Sequence, residues 1–277
     1  MTALLAEIPD IQLRGPDGAL YNSPLASDRF MSEKLWRIIL IHGFRNSERD
    51  ALESYNRFRD TLSKYSTFFA THLFYVVWPG DAFSWTTPQN YFSENVQTAL
   101  AGARILARYL NKILTRESKE GTNCEWIIVS HSLGCRLTTE IIAELRRINS
   151  ESCNKLRLVL MAGAVATIDV EDNDVYGTAL LSAKYIANLY SPEDKTLRKW
   201  FPIGELDRLG VEAIGLNGGP IGFGWSVREQ MRNFDHGDYW TKSSAVEFLA
   251  KLLGVAVPTT LPSYDMPNYH PPEYSGE

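Results

Sequence analysis

Short runs of consecutive apolar residues alternate along this chain with longer stretches in which apolar positions recur every three or four residues. The runs cover residues 35–41, 72–78, 125–130, 156–162, 184–190 and 211–216. A strand with one wet face would alternate apolar with polar, so continuous runs point to strands covered on both faces. Between the second and third runs, Val96, Leu100, Ala103, Leu106, Ala107, Leu110 and Leu114 mark one side of a helix within 91–114. Leu137, Ile141, Leu145 and Ile148 do the same within 133–148, and a last helix is expected over 243–253. Strands alternating with helices predict βαβ units, hence an α/β fold with a mostly parallel central sheet and helices on both faces.

The two ends read differently. Pro16-Asp17-Gly18 is a turn signal that predicts a hairpin within about residues 8–34, ahead of the first strong strand. From residue 258 to 277, Pro258, Pro262, Pro267, Pro271 and Pro272 interleave with Tyr264, Tyr269 and Tyr274. Proline at that density excludes a regular helix, so an extended tail is expected after a single domain over 1–257.

Composition narrows the picture by exclusion. A chain of 277 residues, 44% hydrophobic and 22% charged, can bury one large core. The net charge of -5 argues against a nucleic-acid partner, which would require a concentrated basic surface. Cys124, Cys135 and Cys153 are odd in number and irregular in spacing, which predicts free thiols and no metal-binding pair. Residues 1–10 lack a basic start and contain Glu7 and Pro9, unlike a secretory signal. No apolar run approaches the roughly 20 residues of a membrane span. A soluble cytoplasmic protein is the expectation.

The chemistry concentrates at the third strand. Trp126-Ile127-Ile128-Val129 leads into Ser130-His131-Ser132-Leu133-Gly134, and a helical pattern begins at Leu133. A serine at a tight strand-to-helix turn projects its oxygen from the sheet edge and acts as a nucleophile. The turn demands small residues two before and two after it, and Ser130 and Gly134 fill those places. The alternative is an ordinary junction with a capping serine. Acyl transfer also needs donors for the oxygen that turns negative. The N–H of Leu133 is one candidate; the other is the N–H of Phe44, in His42-Gly43-Phe44 after the first strand. His42 is expected to be structural, hydrogen-bonding within that loop.

Ile41-His42-Gly43-Phe44 followed by Val129-Ser130-His131-Ser132-Leu133-Gly134 resembles the α/β-hydrolase superfamily. More narrowly, Trp78-Pro79-Gly80 and Tyr91 are similar to a set of bacterial esterase-like hydrolases of poorly defined function. The resemblance spans about residues 35–253 and implies a histidine in the loop before the last helix. His236, in Asp235-His236-Gly237-Asp238, fits that place. His131 neighbours Ser132 and points elsewhere, His72 lies at a strand edge, and His270 is in the tail. The resemblance also implies an acid after the strand at 184–190, which selects Asp194; its rivals are Glu193, Asp169, Asp172 and Asp174. The run from Asp169 to Asp174 lacks the spacing of a calcium loop and is expected to be solvated.

Aromatics in two loop segments, Phe83 and Trp85 in the first and Trp200 and Phe201 in the second, could line an apolar substrate pocket or merely pack as satellite core. The glycine-rich stretch 218–225 is either a gate or a wide connection. The implied activity is hydrolysis of a small-molecule carboxylic ester through an acyl-enzyme, without cofactor or metal. Acyl transfer, amide or thioester cleavage would use the same groups. A third reading, a hydrolase fold kept for binding, has only the Pro/Tyr tail in its favour.

Overall fold

The computed structural model describes residues 9–44, 46–81, 88–171, 174–205 and 210–257. The predicted hairpin is present as β1 (Ile11–Arg14) and β2 (Leu20–Ala26), followed by the short helix α1 (Asp28–Ser32). Next come β3 (Trp36–Ile41), α2 (Glu48–Ser63), α3 (Thr67–Thr71) and β4 (Leu73–Val77). The long helix α4 (Pro88–Glu120) leads to β5 (Glu125–His131), α5 (Leu133–Cys153) and β6 (Leu156–Met161). After α6 (Val175–Leu180) follow β7 (Tyr185–Tyr190), α7 (Lys195–Gly204), α8 (Ile214–Asn217), β8 (Val227–Gln230) and α9 (Ser243–Leu252).

The eight strands among the described residues join one sheet in the order β2-β1-β4-β3-β5-β6-β7-β8. Only β1 and β2 run antiparallel; every other pairing is parallel. The apolar runs at β3 and β5 sit at the middle because both of their faces are covered: Ile38 to Ile41 and Trp126 to Val129 are fully buried. From β3 the chain steps through α2 to β4 on one side, and from β5 through α5 to β6 on the other. Right-handed crossovers in opposite directions put their helices on opposite faces. Accordingly α4, α5 and α6 pack together in one layer, and α2 and α9 in the other. The reversal of direction between β3 and β5 opens a crevice at their C-terminal ends, where α/β sheets hold ligands.

Local signals explain the helix ends. Ser47 caps α2 by accepting from Asp50 N–H, while the Asp50 carboxylate accepts from Ser47 N–H. Helix α5 runs past the expected end at Ile148, but Asn149 has non-helical backbone angles, so the break falls where the pattern stopped. At the far end of the sheet, Arg37 pairs with the carboxylate of Glu117, which also accepts from Trp126 Nε1–H at 2.9 Å. That buried pair fastens α4 beneath β3 and β5.

One expected strand is absent. Residues 211–216 form a single bridge, Ala213 with Ala166, and then enter α8. Their apolar character comes from packing across the end of β6: a methyl group on Gly215 would lie 2.2 Å from the carbonyl carbon of Ala162. The last strand among the described residues, β8, escaped the pattern because three of its four residues are exposed and polar. The hairpin also extends the sheet, β1 pairing in parallel with β4. The Pro/Tyr tail at 258–277 lies outside the described residues.

Candidate active site

Strand β5 ends at His131, and α5 begins at Leu133, so Ser132 must make the whole turn alone. It does so with φ +54° and ψ -123°. A side chain in that region costs about 1–3 kcal/mol, which surrounding structure must hold in place. Ser132 N–H donates to Met161 O at 3.0 Å, and its carbonyl accepts from Cys135 and Ala164 N–H at the same distance. The hydroxyl makes no capping bond to the helix. It is left free to face another partner.

Small neighbours allow the turn. A methyl group on Gly134 would sit 2.4 Å from His42 O and 2.8 Å from Ile41 O, so only glycine lets α5 start this close to β3. Both obstacles are backbone and cannot swing aside. Gly134→Ala is therefore expected to lower stability by about 2–3 kcal/mol, read as a fall of about 5–10 °C in the thermal midpoint. Ser130, where glycine is usual in such turns, fits because its buried hydroxyl turns toward Cys135 Sγ at 3.5 Å.

The loop after β3 closes on the same serine. A methyl group on Gly43 would lie 2.6 Å from Ser132 Cβ, which brings the backbone of residues 42–44 alongside the turn. His42 is fully buried and fixes this loop as expected. Its Nε2 accepts from Trp78 N–H at 3.2 Å, so Nδ1 carries the proton and donates to Gly43 O at 2.9 Å. The Trp78 ring stacks on His42, 5.4 Å between centroids, and its Nε1–H donates to His42 O at 2.9 Å. In a trans peptide the C=O and the following N–H point opposite ways. By holding Gly43 O, His42 thus orients the N–H of Phe44. Leu133 occupies the first position of α5, where an N–H has no carbonyl within the helix to bond. Burial keeps His42 neutral, its pKa pushed down to about 4.

His236 comes from the loop between β8 and α9. Its Nε2 lies 2.9 Å from Ser132 Oγ, and its Nδ1 lies 2.7 Å from Asp194 Oδ2. A carboxylate only accepts, so Nδ1 carries the proton and Nε2 presents its lone pair to the serine hydroxyl. Asp194 is completely buried at the end of β7, capping α7 through Oδ1, which accepts from Leu197 N–H at 2.8 Å. Burial alone would raise its pKa. The charge and hydrogen bond of His236 and the bond from Leu197 N–H outweigh it, and the pKa is lowered. The N-terminus of α7 adds its own positive end.

The loop that presents His236 is built from its own carboxylates. Asp235 Oδ1 accepts from His236 N–H at 2.9 Å, and Asp238 Oδ2 accepts from Asp235 N–H at 2.7 Å. Ser191 Oγ donates to Phe234 O at 2.6 Å, tying the loop to the end of β7. No sequence signal marked Ser191 or the Trp78 clamp on His42. The competing acids are engaged elsewhere. Glu193 Oε2 lies 3.0 Å from Ser191 Oγ, Asp174 caps α6, and Asp172 is outside the described residues. Asp169 is a correction: it is 8% exposed and lies 3.8 Å from Arg136, which also pairs with Glu205, because α5 presents a buried cation there.

Of the aromatics read as pocket residues, Phe83 and Trp85 lie outside the described residues. Phe201 is packed into the core at 2% exposure, while Trp200, next to it on α7, is 44% exposed. Among the described residues no group of three or more His, Cys, Asp or Glu is placed to hold a metal ion. Among them, too, no helix is long and apolar enough to cross a membrane. The arrangement around Ser132 can pass a proton from hydroxyl to imidazole and stabilise the cation that results.

Comparison with known proteins places the chain. No curated protein matches it. Among solved structures, a Thermus thermophilus protein is 15% identical with a TM-score of 0.45, over 80% of this chain and 90% of that one. A serine hydrolase from Cycloclasticus zankles is 13% identical with a TM-score of 0.39, over 80% and 90%. An extracellular α/β-hydrolase from a Paenibacillus species is 10% identical with a TM-score of 0.35, over 78% and 98%. The family described as alpha/beta hydrolase of unknown function (DUF900) matches residues 27–215, more than half of the chain. That span runs from the N-cap of α1 through β7 and Asp194 into α8, and the protein belongs to this α/β-hydrolase family.

Proposed function

We propose that the protein is a serine hydrolase that cleaves carboxylic esters through an acyl-enzyme on Ser132. The observation that carries this reading is the unbroken hydrogen-bond chain from Ser132 Oγ through His236 to Asp194, at 2.9 and 2.7 Å. In the first half-reaction His236 Nε2 removes the hydroxyl proton as Ser132 Oγ attacks the ester carbonyl carbon. The carbonyl oxygen becomes an oxyanion, held by the N–H groups of Phe44 and Leu133. Collapse breaks the bond to the alcohol, which leaves with the proton that His236 returns. Water then repeats the sequence on the acyl-enzyme, freeing the acid and restoring Ser132. Asp194 stays ionised throughout and stabilises the imidazolium.

The test is a fluorophosphonate probe that phosphonylates activated serines. Labelling of the wild type at Ser132, and none in Ser132→Ala, is the expected result. A folded wild-type protein that resists the probe would overturn the reading. A series of p-nitrophenyl esters of increasing chain length then reads the size of the acyl site. The tautomer argument adds a sharper expectation. In Asp194→Asn the new side chain still caps α7, but its amide N–H₂ would face His236 Nδ1 and force the other tautomer. Turnover is expected to fall by about 10³–10⁴-fold with KM nearly unchanged, measured by steady-state kinetics on the best ester of the series.

A further inference from the structure

His131 stands next to the serine in sequence and takes no part in the proton transfer described above. It is 4% exposed, and its ring lies 4.7 Å from that of His236, with Tyr239 and Trp240 on its other sides at 5.9 and 5.6 Å. Its Nε2 is 2.7 Å from the main-chain carbonyl oxygen of His236. A carbonyl can only accept, so Nε2 carries the proton and Nδ1 holds a lone pair. Nδ1 faces Gly43, where a methyl group would come within 3.3 Å of it, and is buried with no hydrogen-bond partner among the described residues. An unpartnered buried nitrogen is a cost that a space-filling phenylalanine would avoid. The Nε2 bond is what offsets that cost.

We propose that His131 is a positioning residue for His236, holding its main-chain carbonyl so that the imidazole stands at the reach of Ser132. This rests on the reading of His236 as the base. The consequence is geometric: the residue before the nucleophile grips the residue that carries the base. Movement of the loop between β8 and α9 is thereby referred to the same turn that fixes Ser132. Such a tie matters because misplacement by about 1 Å costs about 100-fold in rate. The ring can act this way without competing for protons. Burial, followed by the charge of His236, pushes its pKa down to about 3, so it stays neutral while His236 cycles.

The experiment compares His131→Gln, His131→Asn and His131→Phe with wild type in the full chain. Glutamine reaches to the Nε2 position and can donate there; asparagine stops short, and phenylalanine has no donor. Two signals are read: the rate of fluorophosphonate labelling of Ser132, and the low-field proton resonance of His236 Nδ1–H against Asp194. The asparagine and phenylalanine variants are expected to label about 10–100-fold more slowly and to show a broadened His236 resonance. Glutamine is expected to restore both, to within about threefold in rate. Equal labelling in all variants, or a glutamine variant as slow as phenylalanine, would overturn the inference. If phenylalanine prevents folding, the asparagine and glutamine pair decides alone. A wild type that is not labelled sinks the proposed function, and the resonance still tests the tie between His131 and His236.

Discussion

Ester turnover in Ser132→Ala is expected to fall by about 10⁴–10⁶-fold, with the fold unchanged. The magnitude follows from the proposed role of the hydroxyl: it would form the covalent bond, and neither His236 nor Asp194 could replace it there. On the same proposal, the residual rate over water would come from the Phe44 and Leu133 N–H groups, which would still polarise a bound carbonyl. Alanine at this turn bears the same backbone strain as serine, because the φ of +54° penalises any Cβ. The substitution therefore changes the thermal midpoint little, and loss of activity can be assigned to chemistry. Retention of more than about 1% of wild-type turnover would be incompatible with a covalent step at this residue.

Acid should unfold the protein early, and two histidines are the main reason. His42 and His131 are buried and neutral, with pKa values pushed down to about 4 and about 3, mainly by burial. Above pH 6.5 both are neutral in folded and unfolded chains alike, so they leave stability independent of pH. Below 6.5 the unfolded chain takes up protons that the folded chain refuses. Each histidine then costs about 1.4 kcal/mol per pH unit down to its folded pKa. Asp194 acts in the same sense at lower pH, because its lowered pKa favours the fold only while the carboxylate is ionised. The urea midpoint is expected to drop steeply between pH 6.5 and 4, and His131→Gln to flatten that slope by about half. A midpoint constant over that window would contradict the buried neutral histidines.

How much of this was legible in the sequence depends on how local each determinant is. The turn at Ser132 was readable because a buried strand, a small-residue frame and an amphipathic helix are all contiguous. The loop at His42 was readable for the same reason. Asp194 and His236 were assigned through resemblance, since nothing within either segment says that the chain folds back to bring them 2.7 Å apart. β8 was invisible: an edge strand has one pairing partner and little burial, so Val227–Gln230 carries no apolar run. The stretch at 211–216 misled for the converse reason, since burial by a close backbone contact leaves the same apolar trace as burial in a sheet. Roles that depend on a partner far along the chain, such as Ser191 on Phe234 and His131 on His236, leave no local trace.

The two margins of the sheet carry a consequence for how copies of the chain meet. Strand β2 has Pro24, which offers no N–H, and β8 shows water Arg228, Glu229 and Gln230. Both devices discourage a foreign strand from zipping onto the margin, the first step of edge-to-edge aggregation. On β8 the protection has a second use. Gln230 leads within six residues to His236, so an added strand would pull on the segment that places His236 beside Ser132. Keeping that margin unattractive to other chains keeps the imidazole of His236 in register with Ser132.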